Sequence, residues 1–173
     1  ALRKEIGAIV TAPLHKEALA AAGISYPGHT ELLQAQAAAF LGKSVSEVPV
    51  RMMLANDELR TVLLSIHVAL RDAIDAVTPE NLLETLRITH ESVGALLQRA
   101  PRIGVAGLNP HAGEGGLFGR EEIDTIAPTI ETARRAGMDV RGPFAPDTVF
   151  MRVRAAEGDT GEFDVVIGMY EEA

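Results

Sequence analysis

One stretch constrains the chain more than any other: residues 107–122, GLNPHAGEGGLFGREE. It follows an apolar run at residues 103–108 and leads into a segment with Ile123, Ile126 and Ile130 at helical spacing. The order reads as strand, glycine-rich loop, helix. In open α/β sheets the crevice beyond the carboxyl ends of the strands is where ligands bind. Gly113, Gly115, Gly116 and Gly119 allow positive φ and a close approach of backbone to ligand. His111 is expected to project into the crevice, and the helix N-terminus that follows favours a bound anion. The competing reading is a flexible connection with an incidental histidine.

The rest of the chain supplies a sheet around that loop. Residues 7–11 read as a buried strand ended by Ala12-Pro13, residues 15–22 as a helix stopped by Gly23, and residues 25–28 as a turn. Residues 30–41 are alanine-rich and helix-forming, with Leu32, Leu33, Ala37 and Phe40 expected on one side. Residues 50–55 and 59–66, joined by Asn56-Asp57-Glu58, resemble a hairpin, so the sheet is expected to be mixed. Thr78-Pro79-Glu80 is a helix start with cap, first-turn proline and acid in order. That helix is expected to reach Arg99, with Leu82, Leu83, Leu86, Val93, Leu96 and Leu97 inward. The strand at 103–108 is taken as central. The helix after Gly119 ends near Ala136 with Gly137 as its cap, residues 138–141 form a short strand, and residues 142–148 a rigid loop carrying Asp147. Residues 154–162 read as a polar excursion and residues 163–169 as a last strand. The fold class is α/β, and strands this near both ends suggest one lobe, or a central fragment, of a larger protein.

Composition narrows the partners. Lys and Arg number 16 against 24 Asp and Glu, giving a net charge of −8, which argues against a nucleic-acid footprint. No cysteine is present, so neither disulfides nor thiolate metal sites are expected, in keeping with a cytoplasmic protein. No apolar run approaches the roughly 18 residues of a membrane span, and no signal peptide is expected.

Three histidines fall at strand ends or loops: His29, His67 and His111. His90 lies within a helical pattern among polar neighbours and reads as surface, and His15 as a surface residue at a helix start. Imidazole is a common ligand for divalent ions, and Asp147 and Glu171 are carboxylates of the same candidate set. The competing readings are a turn-capping aspartate and a terminal surface glutamate. No H-x-x-x-H or H-E-x-x-H spacing strengthens the metal reading.

The segments TAPLHK (11–16), YPGHTE (26–31), MMLANDELR (52–60), HVALRDAI (67–74), GLNPHAGEGG with GREEID (107–124), PDTVF (146–150) and GMY (168–170) occur together in order. In these the chain resembles the 4-hydroxythreonine-4-phosphate dehydrogenase family of vitamin B6 biosynthesis and its relatives acting on four-carbon phosphorylated acids. The resemblance implies a two-lobed α/β/α fold similar to isocitrate and isopropylmalate dehydrogenases, working as a homodimer with its active site between lobes and subunits. It implies NAD as cofactor and a divalent metal (zinc, magnesium or cobalt). His29 and Thr30 match the substrate-binding pair, and His67 and His111 match two of three metal-binding histidines. The third falls at Glu171, in Met-Tyr-Glu-Glu-Ala rather than Met-Tyr-His-Asp-Gln. Lys16 is implied as a proton-transfer or phosphate contact and Asp147 as a catalytic carboxylate supporting the metal ligands.

By the same resemblance, an amino-terminal segment and a carboxyl-terminal part supplying further Lys, Asn and Arg contacts are missing, so activity is expected of a longer protein. The implied reaction is oxidation of the 3-hydroxyl of 4-phosphohydroxy-L-threonine by NAD, followed by loss of carbon dioxide. The alternatives are a D-threonate or D-erythronate 4-phosphate dehydrogenase, or a non-catalytic fragment keeping only fold and dimer surface. Phosphate transfer fares worst, because no G-x-x-x-x-G-K-[ST] motif exists.

Overall fold

A computed structural model describes residues 1–24, 26, 28–153 and 161–171, excepting the Lys16 side chain. The chain divides into two units, Ala1–Val50 and Arg51–Ala173. In the first, α1 (Lys16–Ala21) begins at an exposed His15, and Gly23 follows it at φ 74°. Helix α2 (His29–Leu41) is closed by Gly42 in the left-handed conformation, where a glycine carries no Cβ penalty. Gln34 Nε2 donates to the Val48 carbonyl at 2.9 Å and ties α2 to the short turn Val45–Glu47.

Two expectations fail in this unit. Residues 7–11 are irregular and exposed rather than a buried strand, and Val10 is 95% exposed. No strand lies beside them among the described residues of the unit, so the ladder hydrogen bonds that define a strand have no partner there. In α2 the buried residue is Ala38, while Leu33 and Phe40 are exposed. Alanine makes the helix but leaves no broad apolar stripe to fix its face.

The second unit is built on a five-stranded mixed sheet in the order β1-β2-β5-β3-β4. Strands β1 (Met53–Ala55) and β2 (Arg60–Leu63) form the expected antiparallel hairpin. Its turn is held by Asn56 Oδ1, which accepts from Glu58 N and Leu59 N. The strands β2, β5 (Val165–Gly168), β3 (Arg102–Ala106) and β4 (Asp139–Phe144) run parallel. The centre is therefore β5, not β3. Val165, Val166, Ile167 and Gly168 are all buried, as a strand covered on both faces requires.

Alternation along the strands sorts the core into two layers. Val62, Ile103, Val105, Val140, Val165 and Ile167 turn one way, toward α4 (Pro79–Leu97) and α5 (Ala127–Arg135). Ala106 and Val166 turn the other way and pack with Val149, Val153 and Phe163, beneath α6 (Pro146–Val149) and the turn after it. This is the α/β/α layering expected from sequence. Helix α4 starts as predicted: Thr78 accepts from Asn81 N and Pro79 occupies the first turn. It ends at Leu97, with Gln98 left-handed. Leu82, Leu86 and Val93 are fully buried, whereas Leu96 faces solvent at 62% exposure. His90 on this helix is half-buried rather than at the surface, and its enclosed Nδ1 has no hydrogen-bond partner among the described residues. A short α3 (Leu70–Asp75) precedes α4.

Before α5 the backbone makes a π-type turn, Glu122–Ile126. Ile126 and Ile130 are buried there, but Ile123 is exposed because the wider turn rotates it off the core face. Gly137 ends α5 at φ 90°. The rigid loop read at 142–148 is in fact the end of β4 followed by α6. Residues 154–160, most of the expected polar excursion, and Ser25 and Pro27 of the expected turn lie outside the described residues.

Two ionic clusters fasten the strand ends. Asp164, just before β5, accepts from Arg99 at 2.6 Å, Arg102 Nη2 at 3.0 Å and the Arg102 amide at 2.8 Å. Burial pushes its carboxyl up, but these donors outweigh burial and hold it well below the usual carboxylate range. On the other layer Arg152 lies 4.0 Å over the Phe144 ring and donates to Glu162 at 2.7 Å.

Candidate functional site

The carboxyl ends of the parallel strands open on one side of the sheet. Past β2 comes His67, past β5 Tyr170 and Glu171, past β3 the glycine-rich loop, and past β4 Asp147 in the first turn of α6. A cavity of about 820 Å³ lies there. Leu54, Leu59, Leu63 and Phe150 give it an apolar body, and His111, Asp147 and Glu171 give it polar groups. A smaller cavity of about 440 Å³ adjoins, walled by Ser65, His67 and Leu70, and Tyr170 and Glu171 line both.

The loop after β3 has an unusual backbone. His111, Ala112, Gly113, Glu114 and Gly115 are consecutive residues at φ between 44° and 78°. Three of the five carry a Cβ, for which this region is unfavourable. Gly116 and Gly119 follow at φ 100° and 140°, so all four glycines singled out in the sequence use their freedom. His67 also sits at positive φ, 55°.

A buried carboxylate underlies the loop. Glu122, 3% exposed, accepts from the Leu108 amide at 2.8 Å and the Asn109 amide at 2.7 Å through Oε1. Its Oε2 accepts from Asn109 Nδ2 at 3.0 Å. The same Nδ2 donates to Glu121 at 2.6 Å, and that carboxyl is held below its usual range by its own amide and by Asn109. The first turn of this helix thus carries Glu121, Glu122 and Asp124 itself. Carboxylates occupy the place where an anion was expected, and their charge disfavours a bound anion there.

The sequence-derived residues fall as follows. His111, Asp147 and Glu171 are exposed and share the larger cavity. His67 lies on the neighbouring one, with Nε2 3.6 Å from Glu171 Oε2. Among the described residues no three His, Cys, Asp or Glu side chains gather closely enough to hold a metal ion. His29, half-buried, and Thr30, exposed, begin α2 in the first unit. Lys16 begins α1, and its side chain lies outside the described part. Sequence reasoning missed Glu122 and Asn109 as a pair. No local spacing marks a contact between residues thirteen apart, although both lie within the stretch that carried the resemblance.

A doubly covered, largely parallel sheet with a cavity beyond the carboxyl ends of its strands defines an α/β domain, and that edge is where such sheets commonly place ligands. The family follows from comparison with known proteins. The chain belongs to the family described as pyridoxal phosphate biosynthetic protein PdxA, matched over residues 1–172. It is 54% identical over 167 residues to a 4-hydroxythreonine-4-phosphate dehydrogenase of Beijerinckia indica subsp. indica, covering 96% of this chain and 46% of that relative. To a putative D-threonate 4-phosphate dehydrogenase of Bradyrhizobium diazoefficiens it is 47% identical, covering 95% of this chain and 44% of that one. Among solved structures, a putative 4-hydroxythreonine-4-phosphate dehydrogenase from Salmonella typhimurium superposes with a TM-score of 0.79 at 42% identity, over 98% of this chain and 48% of that one. The chain spans about half the length of the curated relatives it matches. The expected likeness to the isocitrate and isopropylmalate dehydrogenase fold stands. No helix among the described residues is long and apolar enough to cross a membrane.

Proposed function

We propose that this chain is part of an NAD-dependent dehydrogenase acting on a small phosphorylated four-carbon hydroxy acid, with 4-phosphohydroxy-L-threonine as the first candidate and pyridoxal phosphate synthesis as its setting. The observation that carries the reading is the convergence of His111, Asp147 and Glu171 on one cavity beyond the parallel strands. NAD, when bound, would supply the acceptor for the hydride of the hydroxyl-bearing carbon, and a protein base would take the hydroxyl proton. The resulting β-keto acid then releases carbon dioxide. Asp147, at the cavity wall, is the proposed catalytic carboxylate, and His111 orients the polar groups of the substrate. Lys16, His29 and Thr30 are kept as proposed proton-transfer and substrate contacts on resemblance alone. A second reading, D-threonate 4-phosphate as substrate, is favoured by the similarity to the Bradyrhizobium diazoefficiens relative; D-erythronate 4-phosphate rests on resemblance alone.

Two imidazoles and a carboxylate, His67, His111 and Glu171, have the donor chemistry for zinc, cobalt or magnesium. Within this chain the described donors do not close around an ion, so no step is assigned to one. The proposed working form is a cytoplasmic homodimer, which a cysteine-free composition suits.

The test measures NADH formation from each of the three phosphorylated acids, with a divalent metal present, by this chain and by the full-length protein that contains it. Activity in the longer protein, reduced about 100-fold in kcat/KM by His111→Ala, is the expected result. No turnover of any of the three by either protein overturns the reading. Zinc titration of His67→Ala and Glu171→Ala separates the metal proposal, since affinity equal to that of the unaltered protein would sink it.

A further inference from the structure

We propose that Glu122 is the positioning residue that sets His111 on the cavity wall. The carboxylate is buried, yet no cation among the described residues is bonded to it; what it contacts are donors of the loop. Three residues between the end of β3 and Pro110-His111 carry a backbone N–H: Gly107 donates to the Phe144 carbonyl, and Leu108 and Asn109 donate to Glu122. One oxygen of Glu122 takes both amides. Chain direction is therefore fixed at the last point before the left-handed turn begins, and Pro110 allows little rotation after it.

The space around the carboxylate is equally restricted. A Cβ on Gly113 would stand 2.7 Å from Glu122 Oε2, and one on Gly107 3.0 Å from Oε1. The turn thus wraps the carboxylate on both sides, and its Cβ-bearing residues are kept at positive φ by contacts outside themselves. Removing the acceptor would leave two inward-facing N–H groups without partners. The turn would relax and carry His111 away from Asp147 and Glu171. Glu122 itself does not line the cavity, so its effect on chemistry passes through the turn.

The catalytic consequence rests on the proposed dehydrogenase function, while the positioning itself does not. The experiment therefore has two arms, both on the full-length protein. In the first, amide hydrogen exchange and the ring signals of 13C- and 15N-labelled histidine are recorded for the unaltered protein, Glu122→Gln and Glu122→Ala. Glu122→Gln keeps one oxygen for the two amides and gives up the acceptor for Asn109 Nδ2, which still has Glu121. Glu122→Ala should shift the His111 ring signals and speed exchange at Leu108 and Asn109 by about 100-fold or more, with Val105 and Ile167 unchanged. Glu122→Gln should keep both near those of the unaltered protein. In the second arm kcat and KM are measured separately. Glu122→Ala is expected to lower kcat about 100-fold with KM within about 3-fold, and Glu122→Gln to restore most of kcat. His111 signals unmoved in Glu122→Ala overturn the positioning role whatever the activity. Moved signals in a protein without dehydrogenase activity uphold positioning and overturn the function instead. If Glu122→Ala does not fold, Gly113→Ala, which pushes directly on Oε2, should shift the same His111 signals, and unshifted signals there overturn the proposal as well.

Discussion

Asp164 shows how much one side chain can hold in this fold. Its carboxylate joins the residues after α4, the first residue of β3 and the approach to β5 through two guanidinium groups and an amide. Because its folded-state pKa lies below the unfolded one, the stability it contributes is fully present above about pH 4 and is lost as pH falls through the folded value. Asp164→Asn should therefore destabilise the protein by about 2 kcal/mol at neutral pH, in the range for hydrogen bonds to charged groups. Urea titrations at pH 7 and near pH 2 check this: the gap between the two proteins should narrow at the lower pH. A gap of constant size would mean that packing, not charge, accounts for the loss. None of this was legible in the sequence, where Asp164 is one acid among many. The carboxylate acquires its partners only when β5 inserts beside β3.

Whole elements were legible where their determinants are local. Thr78-Pro79 begins α4, Asn56 closes the hairpin, and Gly23 and Gly137 stop their helices, each by chemistry within a few residues. The glycine-rich loop after β3 was legible as a left-handed turn for the same reason, and its His111 lines the cavity. What escaped depends on distant partners: β5 as the central strand, the outward turn of Ile123, and Glu122 beneath the loop. The cap of α4 offers a clean element-scale measurement. Thr78→Ala removes the acceptor for Asn81 N and should cost about 1 kcal/mol in a denaturant titration. Leu86→Ala, on the buried face of the same helix, should cost about 3 kcal/mol. The larger loss at Leu86 is the expected signature of a helix stabilised by packing more than by its ends. A reversed order would show α4 to be held chiefly at its terminus.

At the scale of the molecule the two units differ in what they bury. The second has two apolar layers about its sheet, whereas in the first Ala38 is the buried apolar residue of its longest helix. Ile6, Ile9, Val10, Leu14, Phe40 and Leu41 of the first unit are all at least two-fifths exposed. Apolar surface left in water costs roughly 25 cal/mol per Å² relative to burial, so this much of it is a drive toward association. The relatives carry as much chain again, so surface of this kind has covering material available in a full-length protein. Produced alone, the chain is expected to bind a hydrophobic dye and to show a sedimentation mass that rises with concentration above its 18.4 kDa. The double variant Ile9→Lys, Val10→Lys should return the mass toward 18.4 kDa and lower dye binding, while the circular dichroism of the second unit's helices and sheet stays as it was. A chain that remains monomeric at every concentration, with no dye bound, would mean that residues 6–14 find cover within a single copy.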